Sequence, residues 1–366
     1  MINSDWEGPW VTADHAFDIM RRGIDGGARL FETISAYDDY LAYIVKKKGY
    51  EPGNTLSLIA PLLIAFDLDD KFLTTVAKDN ANFINGSIEA ISLLRRYYTV
   101  NIISTSYNQY VNYSSSLAGI PVENIYCTEF PIDEYAHEIS DEDKHLVREI
   151  ADIITTIPQF DIDMDTRVNE LSEETVESIQ TIDHFFWEIL PATGFAKVLN
   201  EVKPIGGTRK YEAVIQALEK EGVGLNRSAT IGDSITDWKM LKGTKDAGGL
   251  ALSFNGNEYA ISNCNVAVMS DNCLITALLV DLFEKCGLDT VRELTLNWNW
   301  SSIEKLHGKG LIKDPIYTEF KHAYTGTDGI DIPPVVWVMP QNLKKTIELS
   351  KQYRKSVRGA RIGSLG

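Results

Sequence analysis

Cysteine is scarce in this chain of 366 residues: Cys127, Cys264, Cys273 and Cys286 form no CxxC pair and lie too far apart to frame a small disulfide-stapled fold. Buried free thiols in a reducing compartment are therefore expected. Positive charge is also short, with 35 Lys and Arg against 52 Asp and Glu. The resulting net charge of -17 opposes extended contact with nucleic-acid phosphates or anionic lipid. Long apolar runs are missing as well. The most apolar stretch, Leu56 to Phe66, is interrupted by Pro61 and falls well short of a bilayer span. Met1-Ile2-Asn3-Ser4 leads straight into an acidic motif and leaves no room for a removable signal segment. These absences predict a cytoplasmic protein with no nucleic-acid partner and no membrane insertion.

The composition is otherwise ordinary for a soluble globular chain, and its length suggests two or three domain-sized units with ample core material. Hydrophobic period and chain breakers predict a short strand up to Asp5, a helical stretch over about 12 to 84, and a helix over 86 to 98. Strands follow at Val100 to Ile103, Ile125 to Thr128, Ser228 to Ile231, Leu250 to Phe254 and Val266 to Met269. Alternating strands and helices imply parallel βαβ units and an α/β, doubly wound (Rossmann-like) sheet. Right-handed crossovers would gather the carboxyl ends of those strands along one edge.

Polar residues fall at those predicted strand ends. Ser4-Asp5-Trp6-Glu7-Gly8 sets two carboxylates two residues apart, one able to attack phosphorus and the other able to move a proton. Ser104 ends the second strand, with Thr105 and Ser106 as adjacent alternatives. Gly232-Asp233-Ser234-Ile235-Thr236-Asp237 offers acids suited to a hard Mg²⁺ ion, although Asp and Ser also begin helices as caps. Lys210 opens an amphipathic helix carrying Val214, Ile215 and Leu218, with Thr208 as the expected N-cap. A lysine in a first helical turn opposes the macrodipole, which points to an anion nearby; Lys203 and Arg209 are alternatives for that role.

In order and context these motifs resemble the haloacid dehalogenase (HAD) superfamily, in its phosphoserine-phosphatase-like branch. The opening segment is most similar to an archaeal HAD family, some of whose members are labelled energy-converting hydrogenase A subunit R. The resemblance covers about residues 1 to 130 and 203 to 272. It implies a HAD core over 1–11, 85–130 and 203–272, with a helical cap over 12–84. It further implies Asp5 as nucleophile, Glu7 as general acid and base, and Ser104 and Lys210 as phosphate ligands. Mg²⁺ would be held by Asp5, Asp233 and the backbone carbonyl of Glu7, with Asp237 in support. Most phosphatases of the superfamily carry Asp where this chain has Glu7, but its enolase-phosphatase and phosphoserine-homoserine phosphotransferase subgroups carry Glu. The implied activity is a Mg²⁺-dependent phosphohydrolase acting on a small phosphorylated metabolite through an aspartyl-phosphate. Two alternatives stand beside it: transfer to an acceptor other than water, and a non-catalytic subunit of a larger, hydrogenase-type complex.

Arg21, Arg22 and Arg29 are the obvious cap cations for a substrate carboxylate or second phosphate, or else surface residues. Two regions exceed a minimal core. The stretch 131–202 holds 18 acidic and 4 basic residues and reads as a solvated helical insertion or a dock for a basic partner. Within it, Asp161-Ile162-Asp163-Met164-Asp165 falls short of a calcium loop because Thr166 stands where that loop needs glycine. The extension 273–366 contains Trp298, Trp300 and Trp337, expected as packing residues, and ends in a basic segment. That segment carries a helical stripe of Leu343, Ile347 and Val357. It would reach the acidic insertion in the same or a neighbouring subunit, dock on another protein, or stay disordered.

Overall fold

A computed structural model describes residues 1–160, 162, 166–325 and 332–364. The acidic motif at Asp161 to Asp165 lies outside them apart from Ile162. Seven strands form one sheet: β1 (Ile2–Ser4), β2 (Val100–Tyr107), β3 (Ile125–Thr128), β4 (Ala229–Gly232), β5 (Leu250–Phe254), β6 (Val266–Val268) and β7 (Val335–Trp337). Their spatial order is β3-β2-β1-β4-β5-β6-β7, parallel throughout except that β7 runs antiparallel to β6. This is the doubly wound α/β architecture the strand pattern predicted, with the order reversing between β1 and β4. β7 was not legible, being three residues whose antiparallel pairing covers the edge of β6.

The strands are short and almost wholly buried because both faces of the sheet are covered. Ile102 belongs to the core on one face and Ile103 to the core on the other, as a side-chain period of two requires. The first face packs on α5 (Ser87–Arg95), α6 (Asn108–Leu117) and α14 (Leu274–Cys286). The opposite face packs on α11 (Thr208–Glu221), α12 (Trp238–Asp246), α13 (Glu258–Asn263) and α18 (Leu343–Arg358). Trp298, Trp300 and Trp337 are partly buried against the first of these cores. Residues 343–358 of the basic segment thus form an ordered helix seated beside the sheet.

The region between β1 and β2 folds as α1 (His15–Gly23), α2 (Gly27–Asp39), α3 (Thr55–Ala65) and α4 (Asp70–Asp79). The apolar run with Pro61 is α3, whose every residue is buried. Its neighbours include α7 (Ile132–Ala136), α8 (Asp141–Thr156) and α10 (Ala196–Glu201) from the acidic stretch, which also forms α9 (Glu173–His184). Residues of 12–84 and 131–202 share one hydrophobic core, with Ile59, Leu63, Val147, Ile154, Phe186 and Val198 among its fully buried members. The acidic residues of α8 and α9 lie on the outer face of that unit, where water solvates them. The remaining helices are α15 (Leu288–Leu296), α16 (Trp300–Gly308) and α17 (Asp314–Tyr324), the last packed on α14. No described helix is long and apolar enough to cross a membrane.

Candidate active site

Asp5 follows β1 and Asp233 follows β4, which places both at the carboxyl edge where the strand order reverses. The register Ser4 to Ile231 sets the two loops side by side, and Asp5 N–H donates to the Ile231 carbonyl at 2.9 Å. Ser104 stands within β2 rather than at its end. The strand continues to Tyr107, and its pairing with β3 shifts register between Ile103 and Tyr107. Asp5, Glu7, Ser104 to Ser106 and Asp233 to Thr236 line one side of a cavity of about 130 Å³. Asp14, Ser35, Asp38, Asp39 and Leu56 line the opposite side from the helical region, and Arg354 and Arg358 of α18 close it.

Lys210 lies behind this wall, fully buried. Its Nζ stands 2.8 Å from Asp5 Oδ2 and 2.7 Å from Asp237 Oδ1, the anions that offset its unfavourable place in the first turn of α11. Burial alone would lower the lysine pKa, but Asp237 and Asp5 outweigh it and raise it, so Lys210 is a fixed cation. Thr208 is not the cap of this helix. Gly207 takes that place, at φ 51°, while the Thr208 hydroxyl donates to Glu51 at 2.6 Å. Arg209 donates to the Pro204 carbonyl, and Lys203 lines a different pocket, so neither replaces Lys210.

Asp237 combines both readings of its motif. Its Oδ2 accepts from the backbone N–H groups of Asp233 and Ser234 at 2.8 and 2.9 Å, closing a capping box, while Oδ1 takes Lys210. Asp5 and Asp233 line the cavity, whereas Asp237 does not. The ligand oxygens of Asp5, Asp233 and Asp237 lie within 4.8 Å of one another. Gly8, at φ 102°, passes so close that a Cβ there would sit 2.1 Å from Asp233 Oδ2. Clustered carboxylate oxygens beside a stretch of backbone without a side chain fit a hard divalent cation. Asp5 itself is pushed well upward by burial and then by Asp237, against the pull of Lys210.

Glu7 is held at both oxygens. Oε2 accepts the Ser106 hydroxyl at 2.6 Å and Oε1 the His15 N–H at 2.8 Å. Burial, aided by Asp14, pushes its carboxyl up to about 8, which leaves it protonated at neutral pH. Ser104 Oγ accepts the Ser106 N–H at 3.3 Å, while Thr105 donates to the Ile205 carbonyl. Of the three hydroxyls, Ser104 is thus the one not committed as a donor among the described residues.

The cap arginines are not brought to the cavity. Arg21 pairs with Asp18 at 2.9 Å, Arg22 with Asp79 and Asn80, and Arg29 donates to the carbonyls of Thr155 and Ile157. The cations at the cavity are Arg354 and Arg358, whose side chains are 4% and 7% exposed. Arg354 Nη1 pairs with Asp233 Oδ2 and also reaches the Asp233 carbonyl at 3.2 Å. Arg358 reaches Asp233 Oδ2 at 3.2 Å and binds the carbonyls of Thr12 and Ala13, where the chain leaves the sheet for α1. Thr346, Ser350 and Arg354 recur every fourth residue and form the buried face of α18. That spacing was the available signal, masked by the more apolar stripe through Leu343 and Ile347.

No protein-family model and no curated protein matches the chain. Among solved structures, gene product AF1437 from Archaeoglobus fulgidus superposes with a TM-score of 0.79 at 27% identity, over 100% of this chain and 98% of that one. The two share one fold over their whole length. A substrate-bound phosphoserine phosphatase complex gives a TM-score of 0.45 at 15% identity, over 74% of this chain and 93% of that one, a likeness too loose to bear on the site.

Proposed function

We propose that this protein is a HAD-type phosphohydrolase that cleaves a small phosphorylated metabolite through an aspartyl-phosphate on Asp5. The observation that carries the reading is the convergence of Asp5, Lys210, Asp233 and Asp237, drawn from three separate stretches of chain, at one edge of a sheet. In the first step an Asp5 oxygen attacks phosphorus and the bond to the ester oxygen breaks. Glu7, protonated at neutral pH, gives its proton to that oxygen. In the second step Glu7 takes a proton from water, which attacks phosphorus and frees the Asp5 carboxylate. Ser104 donates to a phosphoryl oxygen, and Lys210 holds Asp5 in its attacking orientation from behind.

Asp5, Asp233 and the Glu7 carbonyl would hold Mg²⁺, which supplies positive charge to the phosphoryl oxygens and draws Asp5 toward its ionised form. Substrate choice falls to the wall formed by Ser35, Asp38, Asp39 and Leu56, because the residues of the sheet edge see only the phosphoryl group. The same site with an acceptor other than water would be a phosphotransferase. The free thiols of Cys127, Cys264 and Cys273, all buried, support a reducing compartment such as the cytoplasm.

A second reading is favoured by one contact. Arg354 and Arg358 already neutralise Asp233, as they would in a binding or assembly subunit that does no chemistry. Purified protein tested against a panel of phosphorylated metabolites, with and without Mg²⁺, separates the two. Phosphate release that disappears in Asp5→Asn supports the hydrolase. Inactivity across the panel, with stable copurification of another polypeptide, supports the subunit.

A further inference from the structure

At the inner site three acids, Asp5, Asp233 and Asp237, meet three cations of the chain itself, Lys210, Arg354 and Arg358. All six are nearly or wholly buried. A divalent cation between Asp5 and Asp233 would add two positive charges where three are already packed, and repulsion between charges is strong where water is excluded. Of the two Asp233 oxygens open to such an ion, Oδ2 is already held by both guanidinium groups. Arginine offers only donors and stays charged, so it cannot relieve the conflict by losing a proton. What can give way is the position of α18, which is joined to the Asp233 loop by these two side chains and to the loop between β5 and α13 by the Ser350 hydroxyl on the Gly256 carbonyl.

We propose that Arg354 and a divalent cation compete for the carboxylate of Asp233, so that α18 is a latch which the metal must release. The inference rests on the metal site of the proposed function. Its chemical content is that metal affinity is set partly by a residue that is not a ligand, and that metal loading loosens the C-terminal helix. The Arg358 contacts to Thr12 and Ala13 carry this release to the segment that enters α1 and the cavity wall.

Calorimetric titration of Mn²⁺ and Mg²⁺ alone into the wild type, Arg354→Gln and Arg354→Lys tests the competition. The expected result is at least tenfold tighter binding in Arg354→Gln, with Arg354→Lys close to wild type because the positive charge remains. Equal or weaker binding in Arg354→Gln would overturn the competition and leave the metal site standing. Absence of binding in all three proteins would overturn the metal site and the competition together. Should Arg354→Gln fail to fold, hydrogen exchange of the wild type decides: residues 346 to 358 are expected to exchange faster with Mg²⁺ than with EDTA, and unchanged or slower exchange overturns the latch.

Discussion

The ammonium group of Lys210 and the carboxylate of Asp5 lie 2.8 Å apart with no exposure of the lysine to solvent. The pair joins the first turn of α11 to the end of β1, and Asp237 completes it from the other side. Replacing Lys210 by Met keeps most of the side-chain volume but strands two buried carboxylates, a type of loss that costs about 3–5 kcal/mol. Lys210→Met is expected to lose that much in urea unfolding and to show no turnover. A loss below about 1 kcal/mol would mean that Lys210 does not compensate these acids.

Gly8 gives a steric prediction. A methyl group there would sit 2.1 Å from Asp233 Oδ2, on backbone at φ 102°. Gly8→Ala should displace Asp233, cost about 1–3 kcal/mol and abolish metal binding. Gly49→Ala is the control, since Gly49 has φ 78° but nothing within 4 Å of its added carbon. It should lose about 1 kcal/mol in melting experiments and leave metal binding intact.

Ser106 and Ser104 should separate in kinetics, although they lie two residues apart on β2. Ser106 orients Glu7 through a 2.6 Å hydrogen bond, so Ser106→Ala is expected to lower kcat by about tenfold with little change in KM. Ser104→Ala removes a donor to the phosphoryl group and should lower kcat/KM by at least as much. Identical profiles for the two variants would count against distinct roles.

His15 sets a pH dependence. Both ring nitrogens are buried without a hydrogen-bond partner among the described residues, the ring stacks on Tyr110 at 4.7 Å, and burial pushes its pKa down to about 3. The folded state therefore favours the neutral ring. The stability this confers is complete above the unfolded value near 6.5 and is lost as pH falls from there toward 3, at about 1.4 kcal/mol per pH unit. Between pH 7 and pH 5 the wild type should lose about 2 kcal/mol more than His15→Phe in urea unfolding. Parallel losses in the two proteins would show that His15 does not titrate on unfolding.

Much of the sheet edge was legible because its causes are local. Short, largely apolar runs bounded by turn residues mark β4 and β5, and the acids that follow β1 and β4 are read directly from the chain. The place of Ser104 inside β2 is not local in origin: the run of Ile102 and Ile103 marks where β2 is apolar, whereas pairing with β3 carries the strand on to Tyr107. The cap arginines were misleading for a related reason. An arginine on a helix states its charge but not its partner, and Arg22 finds Asp79 and Asn80 on a neighbouring helix instead of a ligand.

Sequence alone determined the chemistry available at the sheet edge, because a parallel α/β sheet with right-handed crossovers carries the ends of its strands to one side whatever lies between them. Tertiary structure alone decided which cation meets which acid. Asp233 and Arg354 are 121 positions apart, and nothing local to either fixes their pairing. It depends on α18 docking through Thr346 and Ser350, small polar residues that become a buried face only where another surface excludes water from them.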